Sequence, residues 1–304
     1  MKRLGFKIII SIFLLFLICQ NAYSENNVSV FVSILPQQYF VQQIGKDLVD
    51  IHVMVQPGAS PHTYEPKPHQ MVALAKARIY FAIGVPFEKV WLKRITSSNP
   101  DLEIVHTDKN IQKIPMASHH HHHESENHHH HHESEHNHHH HDSLLDPHIW
   151  LSPPLVKIQA QTILETLQEV DPVHSSVYER NYQEFITRID NLHADIEKAL
   201  SAYPGTPFMV FHPSWGYFAK TYGLKQVPIE VEGKSPKPAQ LMELVQYAKK
   251  HDIKVVFVQP QFSTQSAEVI AREIGGKVVF IDPLALNWEE NLIEVTSVFK
   301  EVLE

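Results

Sequence analysis

The chain holds one cysteine, Cys19, and only 10 glycines among 304 residues. A single thiol so near the N-terminus excludes a disulfide framework and any thiolate metal site in the body of the chain. So few glycines leave little from which to build a phosphate-cradling loop. The nearest imitation, Gly233-Lys234-Ser235, fails because Pro228 occupies the position where such a loop needs its first glycine. Gly58-Ala59-Ser60-Pro61-His62 is no nucleophile elbow, since His62 stands where the second glycine belongs. Neither a His-Glu-x-x-His motif nor an EF-hand loop occurs. Positive charge is scarce too, with 26 Lys and Arg against 34 Asp and Glu and a formal net charge of −8. A chain that coats nucleic acid needs the opposite balance, so no nucleic-acid partner is expected.

Long apolar runs are confined to residues 8–19. That run follows Lys2, Arg3 and Lys7 and precedes Ala22-Tyr23-Ser24, the three zones of a secretory signal peptide. Residues 1–24 are therefore expected to be removed on export. The run is short of the ~20 residues that span a bilayer. Ile18 before Cys19, rather than a small residue, argues against a lipid anchor. Cleavage would remove three cations, take the net charge from −8 to −11 and leave no cysteine. No later run approaches ~18 apolar residues, so the exported chain is expected to be soluble.

Histidine is abundant instead, 24 residues in all, of which fifteen lie at positions 119–123, 128–132, 136 and 138–141. The stretch 118–142 consists only of His, Glu, Ser, Asn and Asp. With nothing apolar to bury, it is expected to be a disordered surface loop. Its irregular spacing and internal position mark it as native rather than an affinity tag.

Elsewhere, short β-prone runs alternate with helical patterns. Residues 29–35, 49–55 and 79–83 read as strands, with helices at 37–45 and 70–78. The rhythm returns later, with strands at 208–211, 227–231, 254–258 and 277–281 and helices at 215–222, 238–251 and 266–274. Such alternation is the signature of βαβ units and parallel sheets. Between the two sets, 156–170 reads as a helix, and 173–200 carries apolar residues every three or four positions without Gly or Pro. Twenty-eight residues make a helix of about 42 Å, long enough to join two lobes. The expectation is an α/β protein with two lobes of parallel sheet flanked by helices. Residues 25–172 form the first lobe, 173–200 the linking helix and 201–304 the second lobe.

Nine histidines lie outside the low-complexity stretch, and three occupy unusual places. His62 follows the second strand in Ser60-Pro61-His62-Thr63-Tyr64-Glu65-Pro66. His148 lies in Asp146-Pro147-His148-Ile149-Trp150, and His212 follows the strand 208–211 directly, in His212-Pro213-Ser214-Trp215. Asp282 follows 277–281 in the same way, in Asp282-Pro283-Leu284. Ligands of open α/β sheets bind beyond the carboxyl ends of the strands, and a neighbouring proline stiffens each position. The four residues divide evenly between the two halves, so a site built from them lies in the cleft between lobes. Three imidazoles and a carboxylate suit tetrahedral Zn²⁺, and a closed set of four suits binding over catalysis. Mn²⁺ and Mg²⁺ prefer more oxygen, and Cu²⁺ would bind such a set tightly as well. His52, His69, His106, His174, His193 and His251 read as ordinary surface or core residues.

The segments around these residues carry a resemblance. Residues 57–66 (PGASPHTYEP), 146–153 (DPHIWLSP), 211–218 (FHPSWGYF), 257–263 (FVQPQFS) and 281–284 (IDPL) resemble those of zinc-binding solute receptors of bacterial ABC importers, the ZnuA type. The resemblance implies two lobes joined by a rigid helix, a cleft that holds Zn²⁺ as transported cargo, and no enzymatic step. It implies ligands at His62, His148 and His212, with Asp282 or a water completing the set. Glu65 is a further candidate ligand. Manganese receptors of the family usually carry a carboxylate at the His212 position, so histidine there favours zinc, and a His- and acid-rich loop is typical of the zinc branch. The expected setting is the periplasm and the expected partner a membrane permease with its cytoplasmic ATPase, served by a monomer. Some zinc members carry a disulfide in the second lobe, which this chain cannot form. A receptor for Mn²⁺ or another divalent metal is the alternative within the family, and a three-histidine zinc hydrolase the alternative outside it. Ligand protonation is expected to weaken binding as pH falls through the imidazole range.

Overall fold

The structure is a computed structural model that describes residues 27–117, 145–231 and 233–303. The expected signal peptide and the histidine-rich stretch lie outside the described residues.

The first sheet has four parallel strands, β1 (Val28–Val32), β2 (Val49–Val53), β3 (Ile79–Ala82) and β4 (Glu103–His106), in the order β2-β1-β3-β4. Helices α1 (Leu35–Gly45), α2 (Pro68–Leu74) and α3 (Pro86–Ser98) connect them. Next come a buried 3₁₀ turn at Ile149–Leu151, α4 (Pro153–Val170) and α5 (Ser175–Leu200). The second sheet repeats the plan with β5 (Pro207–Val210), β6 (Lys225–Pro228), β7 (Val255–Val258) and β8 (Lys277–Phe280) in the order β6-β5-β7-β8, again all parallel. Its helices are α6 (Gly216–Tyr222), α7 (Pro238–Lys250), α8 (Gln265–Glu273) and the C-terminal α9 (Trp288–Leu303). The α/β architecture with a long helix between two parallel sheets is the one the sequence implied.

Proline explains where many helices start. Helices α1, α2, α3, α4 and α7 all carry Pro in their first two positions, where its fixed φ suits the helix and its missing N–H costs nothing. The all-apolar strands β3 and β7 are buried along their whole length, as central strands of a sheet covered on both faces should be.

Helix α5 has 26 residues, hence a length of about 39 Å. It starts two residues later than expected, because Pro172–His174 form a 3₁₀ turn of their own. It buries Tyr178, Asn181, Phe185, Ile189, Leu192, Ile196 and Leu200, a single stripe of three- and four-residue steps. The helix is no bare strut, since α1, α4 and α9 pack along it.

Helix α9 belongs to the second half of the chain yet reaches the first. Trp288 packs on Phe40 of α1, with ring centroids 5.2 Å apart. Its indole N–H donates to the Trp150 carbonyl at 2.7 Å, while the Trp150 N–H donates to the Pro283 carbonyl at 2.6 Å. Glu289 accepts from Tyr39 of α1 and Arg188 of α5. One apolar cluster accordingly runs from Val30 and Phe81 in the first sheet through α5 to Phe208, Phe257 and Phe299 in the second lobe. A smaller cluster fills the other face of the second sheet.

Candidate metal centre

His62 sits on a short turn nine residues beyond β2. The Pro61 carbonyl accepts from the Phe87 N–H at the start of α3, and the His62 N–H donates to Ser60 Oγ. Tyr64 packs on Phe87 and donates to Gln70 of α2 at 2.6 Å. The turn is thus pinned to two helices on its far side. His148 precedes the buried 3₁₀ turn, and the Asp146 N–H ties its segment to the Ile114 carbonyl. His212 lies two residues past β5, the strand at which the second sheet reverses its order. The buried Gln259, one residue past β7, accepts from the His212 N–H and donates to the His212 carbonyl.

These three placements converge. His62, His148 and His212 each offer a ring nitrogen, and the three nitrogens lie within 4.8 Å of one another. Ring centroids are 4.7 Å apart for His62 and His212, 5.2 Å for His148 and His212, and 5.9 Å for His62 and His148. His148 and His212 are 4% and 5% exposed, so neither owes its place to solvent. They line a cavity of about 20 Å³ with Trp150 and Phe262, room for an ion or a water molecule.

Behind two of the rings stand carboxylates. His148 Nδ1 is 2.7 Å from Asp146 Oδ1, and His212 Nδ1 is 2.8 Å from Glu230 Oε1. An Nδ1–H donated to a carboxylate leaves Nε2 as a lone-pair donor and fixes the ring plane. His212 Nε2 is buried and lacks a hydrogen-bond partner among the described residues, which suits a lone-pair donor to an ion. Asp146 and Glu230 are themselves 0% and 6% exposed. Two buried carboxylates behind the rings would balance the charge of one dication, so the residues present fit a divalent metal in charge as well as in donor type.

Burial pushes His62 down to about 3, with repulsion from His212 and His148 adding to the effect. Burial also holds His148 below the ordinary imidazole value, against the opposing pull of Asp146. Both rings thus stay neutral to lower pH than a free imidazole, which displaces the expected weakening of metal binding below the ordinary imidazole range at both.

Asp282, the fourth expected ligand, is not in the group. Its Oδ1 accepts from the Leu284 N–H at 2.9 Å and from the Gln261 amide at 3.0 Å. It lies on the wall of a wider cleft of about 440 Å³ that shares Gln261 and Leu284 with the histidine cavity. Glu65 is exposed and outside the group too. Among the described residues no other set of three His, Cys, Asp or Glu comes together in this way. Sequence reasoning assigned no role to Glu230, Asp146, Gln259 or Phe262, although Phe262 stacks on His212 at 4.8 Å. The one available signal was Glu230 itself, a carboxylate inside the apolar run 227–231. Strand β6 ends at Pro228, but the Ile229 and Glu230 N–H groups continue the ladder onto Val210 and Phe211. That extension brings Glu230 beside His212.

Two parallel-sheet lobes on a shared helical core, with buried imidazoles from both meeting between them, define a metal-binding solute receptor. The family model of ZnuA, zinc-uptake complex component A, periplasmic, matches residues 30–297, and the chain belongs to that family. The family is one of binding receptors for metal transport, not of enzymes, and this removes the hydrolase alternative. The chain is similar to the high-affinity zinc uptake system protein ZnuA of Bacillus subtilis, 30% identical over 93% of this chain and 89% of that protein. It is also similar to a crystal structure of ZnuA, with 39% identity and a TM-score of 0.82 over 92% of this chain and 100% of that one. The iron-binding protein YfeA of Yersinia pestis is 26% identical over 88% of this chain and 84% of its own length. No helix among the described residues is long and apolar enough to cross a membrane.

Proposed function

We propose that the protein is a periplasmic receptor that captures Zn²⁺ between its lobes and delivers it, as a monomer, to the permease and ATPase of an ABC importer. The observation that carries this reading is the meeting of His62, His148 and His212, drawn from both halves of the chain and backed by two buried carboxylates. Nitrogen donors in a compact set suit zinc better than the oxygen-seeking Mn²⁺ or Mg²⁺. The named iron specificity of the Yersinia relative supports a second reading, a receptor for another divalent metal. Residues 25–172 and 201–304 serve as the two lobes and 173–200 as the helix between them. The histidine runs at 119–123, 128–132 and 138–141 supply weaker, exchangeable zinc sites, for capture and delivery to the cleft or for sensing zinc abundance.

Calorimetry of the full chain tests this. His62→Ala, His148→Ala and His212→Ala should each weaken the tightest Zn²⁺ binding by more than about 100-fold, beyond the ~10–100-fold that loss of an outer hydrogen-bond partner costs. Asp282→Asn should cost as much if its carboxylate turns inward on loading, and under about tenfold if water takes the fourth position. Removing residues 119–141 should lower the stoichiometry and keep one tight site. Unchanged tight binding in the histidine variants, or its loss on that deletion, would refute the cleft assignment. Competition with Mn²⁺ and Fe²⁺ decides the metal.

A further inference from the structure

The segment that carries His212 also touches the carboxylate that orients His148. Tyr217 Oη donates to the Asp146 carbonyl at 2.9 Å and accepts from the Ile114 N–H. Gly216 lies beside the other end of Asp146. A Cβ placed on Gly216 would stand 2.6 Å from Asp146 Oδ2, with Gln226 Nε2 at 3.6 Å. Backbone conformation does not demand glycine here, because Gly216 opens α6 without a positive φ. In a helix alanine is ordinarily favoured over glycine. Space for the Asp146 carboxylate is what glycine provides.

The consequence is specific. The atom that would collide is the end of a side chain, so the backbone need not yield. The cheap relief is a turn of the Asp146 carboxylate. Its Oδ1 accepts from both the His148 N–H and Nδ1, at 2.9 and 2.7 Å. Turning it therefore releases the His148 ring from its tautomer and plane.

We infer that Gly216 is a positioning residue for metal binding, acting on His148 through Asp146. The stretch from His212 to Tyr217 thus sets two of the three imidazoles: one it carries, and one it orients across the boundary between the halves of the chain. The inference rests on His148 being a ligand.

A double-mutant cycle on the full chain tests it, read as the affinity of the tightest Zn²⁺ site by chelator competition together with metal-free melting. Gly216→Ala should weaken binding about 10- to 100-fold, as loss of an outer partner does, with melting preserved. Asp146→Asn should weaken it to a similar degree. The double variant should bind no more weakly than Asp146→Asn alone, within about threefold, because both changes break one contact. Gly223→Ala forces a side chain onto a residue with φ of 71° and no neighbouring atom, so it should lower melting and leave affinity intact. Wild-type affinity in Gly216→Ala, or multiplicative losses in the double variant, would overturn the inference. His148→Ala separates the two levels: if it binds zinc as tightly as wild type, the ligand assignment fails first.

Discussion

Replacing Glu230 by glutamine keeps the shape of the side chain and removes its charge, and the structure predicts opposite effects on the empty and loaded protein. Glu230 and His212 are each 6% exposed in their side chains, with Oε1 2.8 Å from Nδ1. An ion at an ordinary Zn–N distance of about 2 Å from His212 Nε2 would lie roughly 6–7 Å from that carboxylate. Two charges against one at that range, with an effective dielectric of ~20, amount to about 5 kcal/mol of attraction. Relief of an uncompensated buried charge in the empty protein offsets part of this, so the loss in binding should fall nearer the 10- to 100-fold usual for a carboxylate behind a ligating histidine, about 1.4–2.8 kcal/mol. The same relief predicts that metal-free Glu230→Gln is as stable as wild type or more so. Chelator competition gives the affinity and urea unfolding without metal gives the stability. A variant that unfolds more easily while binding zinc normally would show that Glu230 is an ordinary structural partner and that the charge argument is wrong.

The depressed His62 makes stability of the empty protein depend on pH. Unfolded, its imidazole titrates near ~6.5, and folded it titrates near about 3. Between those values the unfolded chain binds the proton that the folded chain refuses, so stability falls as pH falls through that window. From pH 7 to 5.5, wild type should lose about 1 kcal/mol more than His62→Ala in urea unfolding; equal losses would contradict the half-buried, neutral ring. Trp288→Phe removes the indole N–H that caps the Trp150 carbonyl and opens space against Phe40. It should destabilise the chain by about 2 kcal/mol, and a loss under about 0.5 kcal/mol would mean that the contact between α9 and the first lobe is dispensable.

What the sequence made legible follows from local physics. The apolar runs that became β1, β3, β5 and β7 are buried central strands, and their ends fall within a few residues of the expected ones. The three histidines stood out because each sits beside proline close to an expected strand or turn. Strand β4 went unread, since a four-residue edge strand with exposed ends carries no periodic signal. Helix α3 was missed behind β3, and α9 behind Asp282. The stripe of α9 at Trp288, Leu292, Val295 and Phe299 is visible in the residues, but nothing local says that it crosses to α1 and α5. Strand order explains Asp282. It follows β8, the edge strand, and β7 lies between it and β5, so the tip next to His212 carries Gln259 instead. Glu230 and Asp146 acquire their roles only through tertiary pairing with a ring, which spacing along the chain does not encode.

The shared interior sets how far this molecule can travel between its empty and loaded forms. Parting the halves would bare Trp150, Trp288 and Phe40, which are 0%, 1% and 0% exposed. Wetting an aromatic side chain of 150–250 Å² costs about 4–6 kcal/mol, and three together cost about 12–18 kcal/mol, as much as one tightly held Zn²⁺ supplies in full. Separation of the halves would consume the binding energy of the ion, so loading is expected to move side chains and short turns instead. Any partner that tells laden from unladen copies would then have to do so by touch around the histidine turn rather than by outline.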